Sequence, residues 1–429
     1  MAGEMNWAGN YEYRSGAIEH PRSLDELQAL VAGASKVRAL GTRHSFNPIA
    51  DADADGTQIA LSAMTPRIDV DEQARTVTVG GGLRYGDVAI ALNAGGWALH
   101  NLASLPHISV AGAIATGTHG SGDHNGNLST AVAGLEIVRA DGEIVTLRRG
   151  DPDFAGAVVG LGALGIVTAV TLDIEPTYDV EQRVFQDLPW ERALADLDAV
   201  TGSAYSVSLF TDWRGDVIDQ VWLKSRSDAA GQASADGRLR SLDDMDDLFG
   251  ARPATEPVHM LPTMSPVNCT QQLGVPGPWH ERLAHFRLEF TPSNGAEIQS
   301  EYLVPRANAV AAIEALRGIG DVIAPVLQIT EIRTMAADDL WLSEAFGRET
   351  VGLHFTWLRE QDAVEEALVH IEAALAPFEA RPHWGKVFLN RDGRAASLYP
   401  RIADFRDLAE RYDPRGVFRN EFLQRHVFA

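Results

Sequence analysis

A single cysteine, Cys269, in 429 residues excludes an internal disulfide and any cysteine-cluster metal site. Such cysteine usage fits a reducing, cytoplasmic location. Basic residues are also scarce: Lys+Arg number 36 against 59 for Asp+Glu, a formal charge of −23 with a pI near 4.9. A general nucleic-acid binder or a binder of anionic membranes needs a cationic face, so both classes are excluded. A small cationic pocket inside an acidic shell is not. Met1 to Arg22 has no basic start followed by an apolar stretch, so no secretory signal is expected. The chain has no GxxxxGK[ST] or HExxH pattern, no internal repeat and no low-complexity tract. It also lacks an evident apolar patch, so a monomer is expected.

Phe154 to Leu172 carries no charge and has the length of a membrane span. Four glycines interrupt it, and its period changes halfway. Asp151-Pro152-Asp153 reads as a helix start, and Ile166 to Leu172 alternates as a strand does. A short buried helix feeding a strand is therefore expected. The stretch also spells GxGxxG over Gly160 to Gly165, but a dinucleotide fingerprint needs strand, glycines and helix in that order. Here the order is reversed, which argues against a Rossmann site.

A hydrophobic share of 45% supports a sizeable core, and the length allows about two or three domains. Ser23-Leu24-Asp25-Glu26 reads as a capping box opening a helix with Leu24, Leu27, Leu30 and Val31 as its apolar stripe. Short strands are expected at Val37 to Leu40 and Arg75 to Val79, a helix near Asp87 to Ala94, and alternation from Leu135 to Leu147. Short strands mixed with short helices and glycine loops give α+β rather than a regular βα repeat. Past Pro176 strands dominate, as in Tyr205 to Phe210, with helices near Pro305 to Leu316 and Asp362 to Phe378. Ser225 to Pro257 is acidic and contains Asp243-Asp244-Met245-Asp246-Asp247. It lacks the glycine and glutamate of an EF-hand loop, so it reads as a solvated insertion.

Two segments point to a bound cofactor. Gly41-Thr42-Arg43-His44-Ser45-Phe46-Asn47 directly follows a strand, and consecutive N–H groups in such a turn make a nest for phosphate oxygens. Thr116-Gly117-Thr118-His119-Gly120 ends a run of small residues begun at Ser104, where backbone can approach a flat ligand closely. In the second half, Glu331 and Arg333 have period-two spacing and share a strand face, as do His354 and Thr356. Alone, the Glu331 and Arg333 pair suits a surface ion pair. His100, His107, His119 and His124 show no helical i, i+4 spacing and no metal site is expected.

The order Gly41-Thr42-Arg43-His44-Ser45, Ser104-Leu105-Pro106, Ser109 to Ala113, Thr116 to Gly120 and Gly165 to Thr168 resembles the FAD domain of the vanillyl-alcohol oxidase superfamily. Glu331-Ile332-Arg333, His354 to Trp357, His383-Trp384-Gly385-Lys386 and Asp413 to Asn420 are similar to alditol oxidases (xylitol and sorbitol oxidases), sisters of the aldonolactone oxidases. The resemblance spans nearly the whole chain. It implies an α+β, two-part FAD-binding domain from residues 1–178, with 396–429 returning to it. A substrate domain on a large antiparallel sheet, residues 179–395, is inserted between them.

The resemblance also implies functional roles, position by position. His44 bonds covalently to the 8α carbon of FAD, and Cys269 lies too late in the chain to add a second bond. Ala39, Leu40, Gly41, Thr42, Arg43, His44 and Ser45 cradle the pyrophosphate. Ser104, Ser109, Gly112, Thr116, Gly117, Thr118 and His119 line the rest, and Val167 or Ile166 holds the adenine edge. Glu331, Arg333, Thr356 and Lys386 grip the polyol with Ser104. Arg333 and Lys386 are catalytic, stabilising the alkoxide and the reduced flavin. His354 is either a proton acceptor or a packed strand residue, and Ala103 leaves dioxygen a path. The implied reaction oxidises the terminal hydroxyl of a small polyol by hydride transfer to flavin N5, and O2 becomes H2O2. An aldonolactone oxidase or dehydrogenase, and a sugar-binding protein without activity, are the competing readings.

Overall fold

The structure is a computed structural model describing residues 4–227, 247–292 and 295–429; most of the acidic insertion, including Asp243 to Asp246, lies outside the described residues. Three larger sheets and one two-stranded pair frame the described residues. A parallel sheet of β1 (Ala17–Glu19), β2 (Val37–Ala39) and β3 (Thr57–Ile59) is ordered β1-β3-β2. An antiparallel sheet follows, from β4 (Ile68–Asp71), β5 (Thr76–Gly80), β7 (Val132–Val138), β8 (Ile144–Arg148) and β9 (Ile166–Asp173), in the order β4-β5-β9-β7-β8. Between its strands, β6 (Trp97–Ala98) pairs with β10 (Glu175–Pro176).

The third sheet is the large antiparallel one expected for the second half. Its main strands are β11 (Asp179–Pro189), β12 (Ser206–Thr211), β13 (Val217–Arg226), β16 (Ile298–Pro305), β17 (Leu327–Met335) and β18 (Thr350–Trp357). The short strands β14 (Arg252–Pro253), β15 (Gly277–Pro278) and β19 (Arg381–Pro382) complete it. The order is β14-β11-β13-β12-β17-β18-β16-β19, with β15 against β11. One face packs on the helices Ala309–Arg317 and Gln361–Leu375, whose Ile313, Leu316, Leu368 and Ile371 are fully buried. The other face carries the polar residues of the site.

Local chemistry explains the elements. Ser23 caps α1 (Leu24–Gly33) by accepting from the Glu26 N–H at 3.2 Å. Glu26 departs from the expected box: its carboxylate accepts from the Arg22 N–H at 2.7 Å, one residue before the cap. Leu27 and Val31 are fully buried, with Leu24 and Leu30 partly so. The uncharged stretch is a helix, Phe154–Val158, followed by β9. Gly165 between them has φ 146°, and a Cβ there would lie 2.4 Å from the Val138 carbonyl oxygen. No helix among the described residues is long and apolar enough to cross a membrane.

The last residues pack back on the first sheets. Phe405, Leu408, Phe422 and Val427 join the core built by β5, β7 and β9, and Phe418 packs with Leu27 and Ile166. Arg38 on β2 stitches this return. Its buried guanidinium donates to the carbonyls of Gly162 and Phe418 at 2.8 Å, of Leu161 at 2.7 Å and of Ile49 at 2.6 Å.

Candidate active site

One cleft runs from the Gly41 turn to the polar face of the large sheet. Ala39 to Ser45, Ser104, Ser109, Gly112, Thr116, Thr118, His119 and Val167 line one part. Gln299, Glu301, Arg333, His354, Thr356, His383 and Lys386 line the other. The structure brings together most of the residues singled out in the sequence. Of those expected on the walls, Gly117, Ile166 and Glu331 are not wall residues. Ile166 packs into the small core beneath α1, so of the two candidates only Val167 faces the cleft. Gly117, at φ 65°, makes room for a neighbour: a Cβ there would lie 2.2 Å from a Glu344 carboxyl oxygen.

The turn after β2 is built for a group with many acceptors. Arg43 sits at φ 63°, the left-handed conformation that turns successive N–H groups to one side. Thr42 Oγ1 accepts from the Ser109 N–H at 3.1 Å, joining the two cofactor segments. His44 stacks on Trp7 with ring centroids 5.1 Å apart. Its Nδ1 lies 3.1 Å from Thr42 Oγ1, and its buried Nε2 has no hydrogen-bond partner. Burial, helped by the nearby His107, lowers its pKa to about 4, so the imidazole is neutral and keeps a lone pair. A glycine-lined turn with an orphaned imidazole nitrogen fits a flavin nucleotide. The glycines of the GxGxxG stretch, set aside for their order, also line this cleft. They serve as a small-residue wall rather than a helix-opening loop.

The same turn grips the substrate half. Asn47 Nδ2 donates to the carbonyls of Trp384 at 2.8 Å and Lys386 at 2.7 Å, and the Phe46 N–H donates to Gly385 O at 2.8 Å. The segment His383 to Lys386 is thereby fixed beside His44. Gly385 N–H donates to His383 Nδ1 at 3.0 Å, which leaves the His383 proton on Nε2.

On the sheet, register does the assembly. Glu331 pairs with His354 and His354 with Glu301, so three strands present one row. Glu331 and Arg333 are 4% and 5% exposed, which excludes the surface ion pair. Glu301 is the hub. Its carboxylate accepts from Lys386 Nζ at 2.7 Å and Arg333 Nη2 at 3.0 Å, and His119 Nε2 lies 3.1 Å away. Burial alone would raise Glu301, but Lys386, His119 and Arg333 outweigh it and hold the carboxyl well below its usual range. Burial lowers Lys386, and Glu301 opposes that. Arg333 also donates to Ser104 Oγ at 3.1 Å. His354 is lowered to about 4 by burial, and both ring nitrogens lack hydrogen-bond partners. Buried Glu344 goes the other way, its carboxyl raised well above the usual range, and accepts from the Trp384 N–H at 3.3 Å.

Glu301 and Gln299 were not foreseen. The signal was present: both lie on β16 with the period-two spacing that singled out Glu331 and Arg333. Among the described residues no group of His, Cys, Asp and Glu is arranged to hold a metal ion. Cys269 is buried and its thiol pushed up to about 12.

Comparison with known proteins agrees with this geometry. The FAD binding domain family matches residues 16–148, and the D-arabinono-1,4-lactone oxidase family matches 293–426. An alditol oxidase of Streptomyces sp. (strain IKD472 / FERM P-14339) is 51% identical over 420 residues, covering 98% of this chain and 97% of that protein. The chain belongs to the alditol oxidase family. The lactone enzymes are more distant: an L-gulono-1,4-lactone dehydrogenase of Mycobacterium tuberculosis is 29% identical over 98% of both chains. Among solved structures, cholesterol oxidase from B. sterolicum superimposes with a TM-score of 0.75 at 15% identity, over 99% of this chain and 96% of that one. A solvent-stable cholesterol oxidase gives 0.77 over 99% and 97%. Both share the fold, as expected for a family built on an FAD-binding domain and a large antiparallel sheet.

Proposed function

We propose that this protein is an FAD-dependent alditol oxidase, converting the terminal primary hydroxyl of a small alditol such as xylitol or sorbitol to the aldehyde. The supporting observation is the joining of two unlike walls: a neutral His44 whose Nε2 has no hydrogen-bond partner, tied through Asn47 to a buried set of cations around Glu301. FAD, once bound, supplies the hydride acceptor and passes electrons to O2, giving H2O2. Residues 39–45 hold its pyrophosphate, Ser109, Gly112, Thr116, Thr118 and His119 line the rest, and Val167 meets the adenine. His44 carries the covalent bond.

Glu331, Thr356 and Ser104 orient the polyol, whose hydroxyls require a dense set of donors and acceptors. Arg333 and Lys386 stabilise the negative charge that develops at the alcohol oxygen and beside the flavin. His354, kept neutral by burial and free at both ring nitrogens, accepts the hydroxyl proton. Ala103 keeps the path to the ring narrow in side chain and open to oxygen. The division of the chain into 1–178 and 396–429 around FAD, with 179–395 for substrate, belongs to this reading, as does a cytoplasmic monomer.

Oxygen uptake tests it. Xylitol or sorbitol should be consumed with stoichiometric peroxide, and an aldonolactone should be poorer by at least an order of magnitude. The lactone match over 293–426 makes that comparison the decisive one. Acid-precipitated protein should stay yellow, and that of His44→Ala should be colourless. Preference for the lactone would overturn the substrate, and a colourless wild-type precipitate would overturn the tether.

A further inference from the structure

Behind Glu331 lies a buried polar line with no part in the reaction as described. Lys224 on β13 is 1% exposed. Its Nζ donates to Leu283 O at 2.6 Å and Ala284 O at 2.9 Å, and lies 3.1 Å from His285 Nδ1. An ammonium has three N–H groups and no lone pair. Burial lowers Lys224 to about 7, with Glu331 opposing it; on the acid side of that value two of the N–H groups are used on carbonyls and the third is aimed at Nδ1, which then accepts. A neutral His285 then carries its proton on Nε2, and Nε2 lies 2.8 Å from Glu331 Oε1. The rings of Trp222 and Phe210 stand edge-on to His285 at 5.2 and 5.7 Å and leave it little freedom to turn. Its backbone N–H donates to Ser104 O at 2.8 Å, so one residue braces both Glu331 and Ser104.

We propose that Lys224 and His285 are positioning residues for Glu331, holding it as a carboxylate with Oε1 engaged by His285 and Oε2 turned towards the cleft-lining His354. The inference rests on the alditol reading, in which Glu331 receives a polyol hydroxyl. Arg333 adds the largest favourable charge to Glu331, and the pair fixes the orientation of its carboxylate. Arg333 Nε is 3.5 Å from Oε1, His354 Nδ1 is 3.7 Å from Oε2, and Arg282 and Cys269 act on Lys224. Burial lowers His285 to about 4, so it stays neutral in the working range and the direction of its hydrogen bonds is set by Lys224. Burial pushes Glu331 up, but Arg333 and His285 outweigh it and keep its carboxyl well below the usual range.

Two measurements on the flavin-loaded enzyme test the proposal. In the first, nitrogen-15 histidine resonances of the wild type, assigned by their loss in His285→Gln, should report an Nε2–H tautomer at about pH 5.5, between the values of His285 and Lys224. An Nδ1–H or doubly protonated ring would overturn the assignment whatever the substrate proves to be. The second is the pH profile of kcat/KM for xylitol. In Lys224→Met and His285→Leu the acid limb should rise by at least one pH unit, tenfold in proton concentration, because Glu331 loses the groups that favour its charged form. KM should rise about tenfold with a smaller change in kcat. His285→Gln, which keeps an N–H donor, should recover part of both. An acid limb within a few tenths of wild type in His285→Leu and Lys224→Met, at full flavin content, would overturn it. Should Lys224→Met fold poorly, the two His285 variants decide. Absence of wild-type turnover with xylitol would refute the substrate reading alone, since the tautomer is read independently.

Discussion

The two walls of the cleft solve different problems with different chemistry. The wall after β2 uses backbone: a left-handed Arg43, small residues at Gly41 and Gly112, and one imidazole made neutral by burial. The sheet side uses charge: Glu301, Arg333 and Lys386 at the wall with Glu331 and Lys224 behind it, nearly all inaccessible to water. Ionised groups are costly to bury unless paired and hydrogen-bonded, and here Arg333 and Lys386 share Glu301 as their anion before substrate arrives, while Lys224 is held by carbonyls. A wall of backbone donors suits a cofactor that stays. A wall of prepaired charges suits a neutral substrate that must be oriented and then released.

Removing one charge from the sheet wall tests that contrast most severely. Lys386→Met should lower the rate of flavin reduction by about 10²–10³-fold with flavin content retained, measured by stopped-flow absorbance. A loss below about threefold would show that Arg333 suffices. Next in size, Glu301→Gln removes the hub and sets Lys386 against Arg333 without their shared anion. Lys386, already lowered by burial, loses the group that opposes this. Its pKa falls further and the alkaline limb of kcat moves to lower pH by about one unit. The variant should also be less stable by about 3–5 kcal/mol in denaturant unfolding, as expected when one buried partner is lost.

Acid should strain the sheet side of the cleft. His285 and His354 titrate near 4 when folded and near 6.5 when unfolded. Lowered values mean that the unfolded chain binds more protons, so stability declines as pH drops from about 6.5 towards 4. Each histidine contributes about 1.4 kcal/mol per pH unit over that window. Thermal midpoints at pH 7, 6 and 5 check this, and a flat response would mean that these rings are charged in the fold. The smallest effect lies far from the cleft. Ser23→Ala removes the α1 cap and should cost about 1 kcal/mol with unchanged turnover, read by urea unfolding and oxygen uptake.

Much of this was legible from the residues in order. The turn at Gly41, the small-residue run from Ser104, the shared strand face of Glu331 and Arg333, and the helix-to-strand change near Gly160 all follow from local rules of turn chemistry and period. Local signals end where contacts join distant parts of the chain. Glu301 shows the same alternation as Glu331, yet nothing near it in sequence says that Lys386 and Arg333 will meet on its oxygens. The Gly160 to Gly165 loop failed the motif for its order and still reached the cleft, because β9 carries it beside β7.

Sequence alone determined which segments bend, which alternate, and that a net charge of −23 leaves room only for a small internal cationic site. Tertiary structure decided the charge states. Register across β16, β18 and β17 put carboxylates against cations, and burial moved His44 and His354 to their neutral forms and raised the Glu344 carboxyl. Those outcomes depend on desolvation and on neighbours a few ångströms away, and such neighbours are brought together only by the folded sheet.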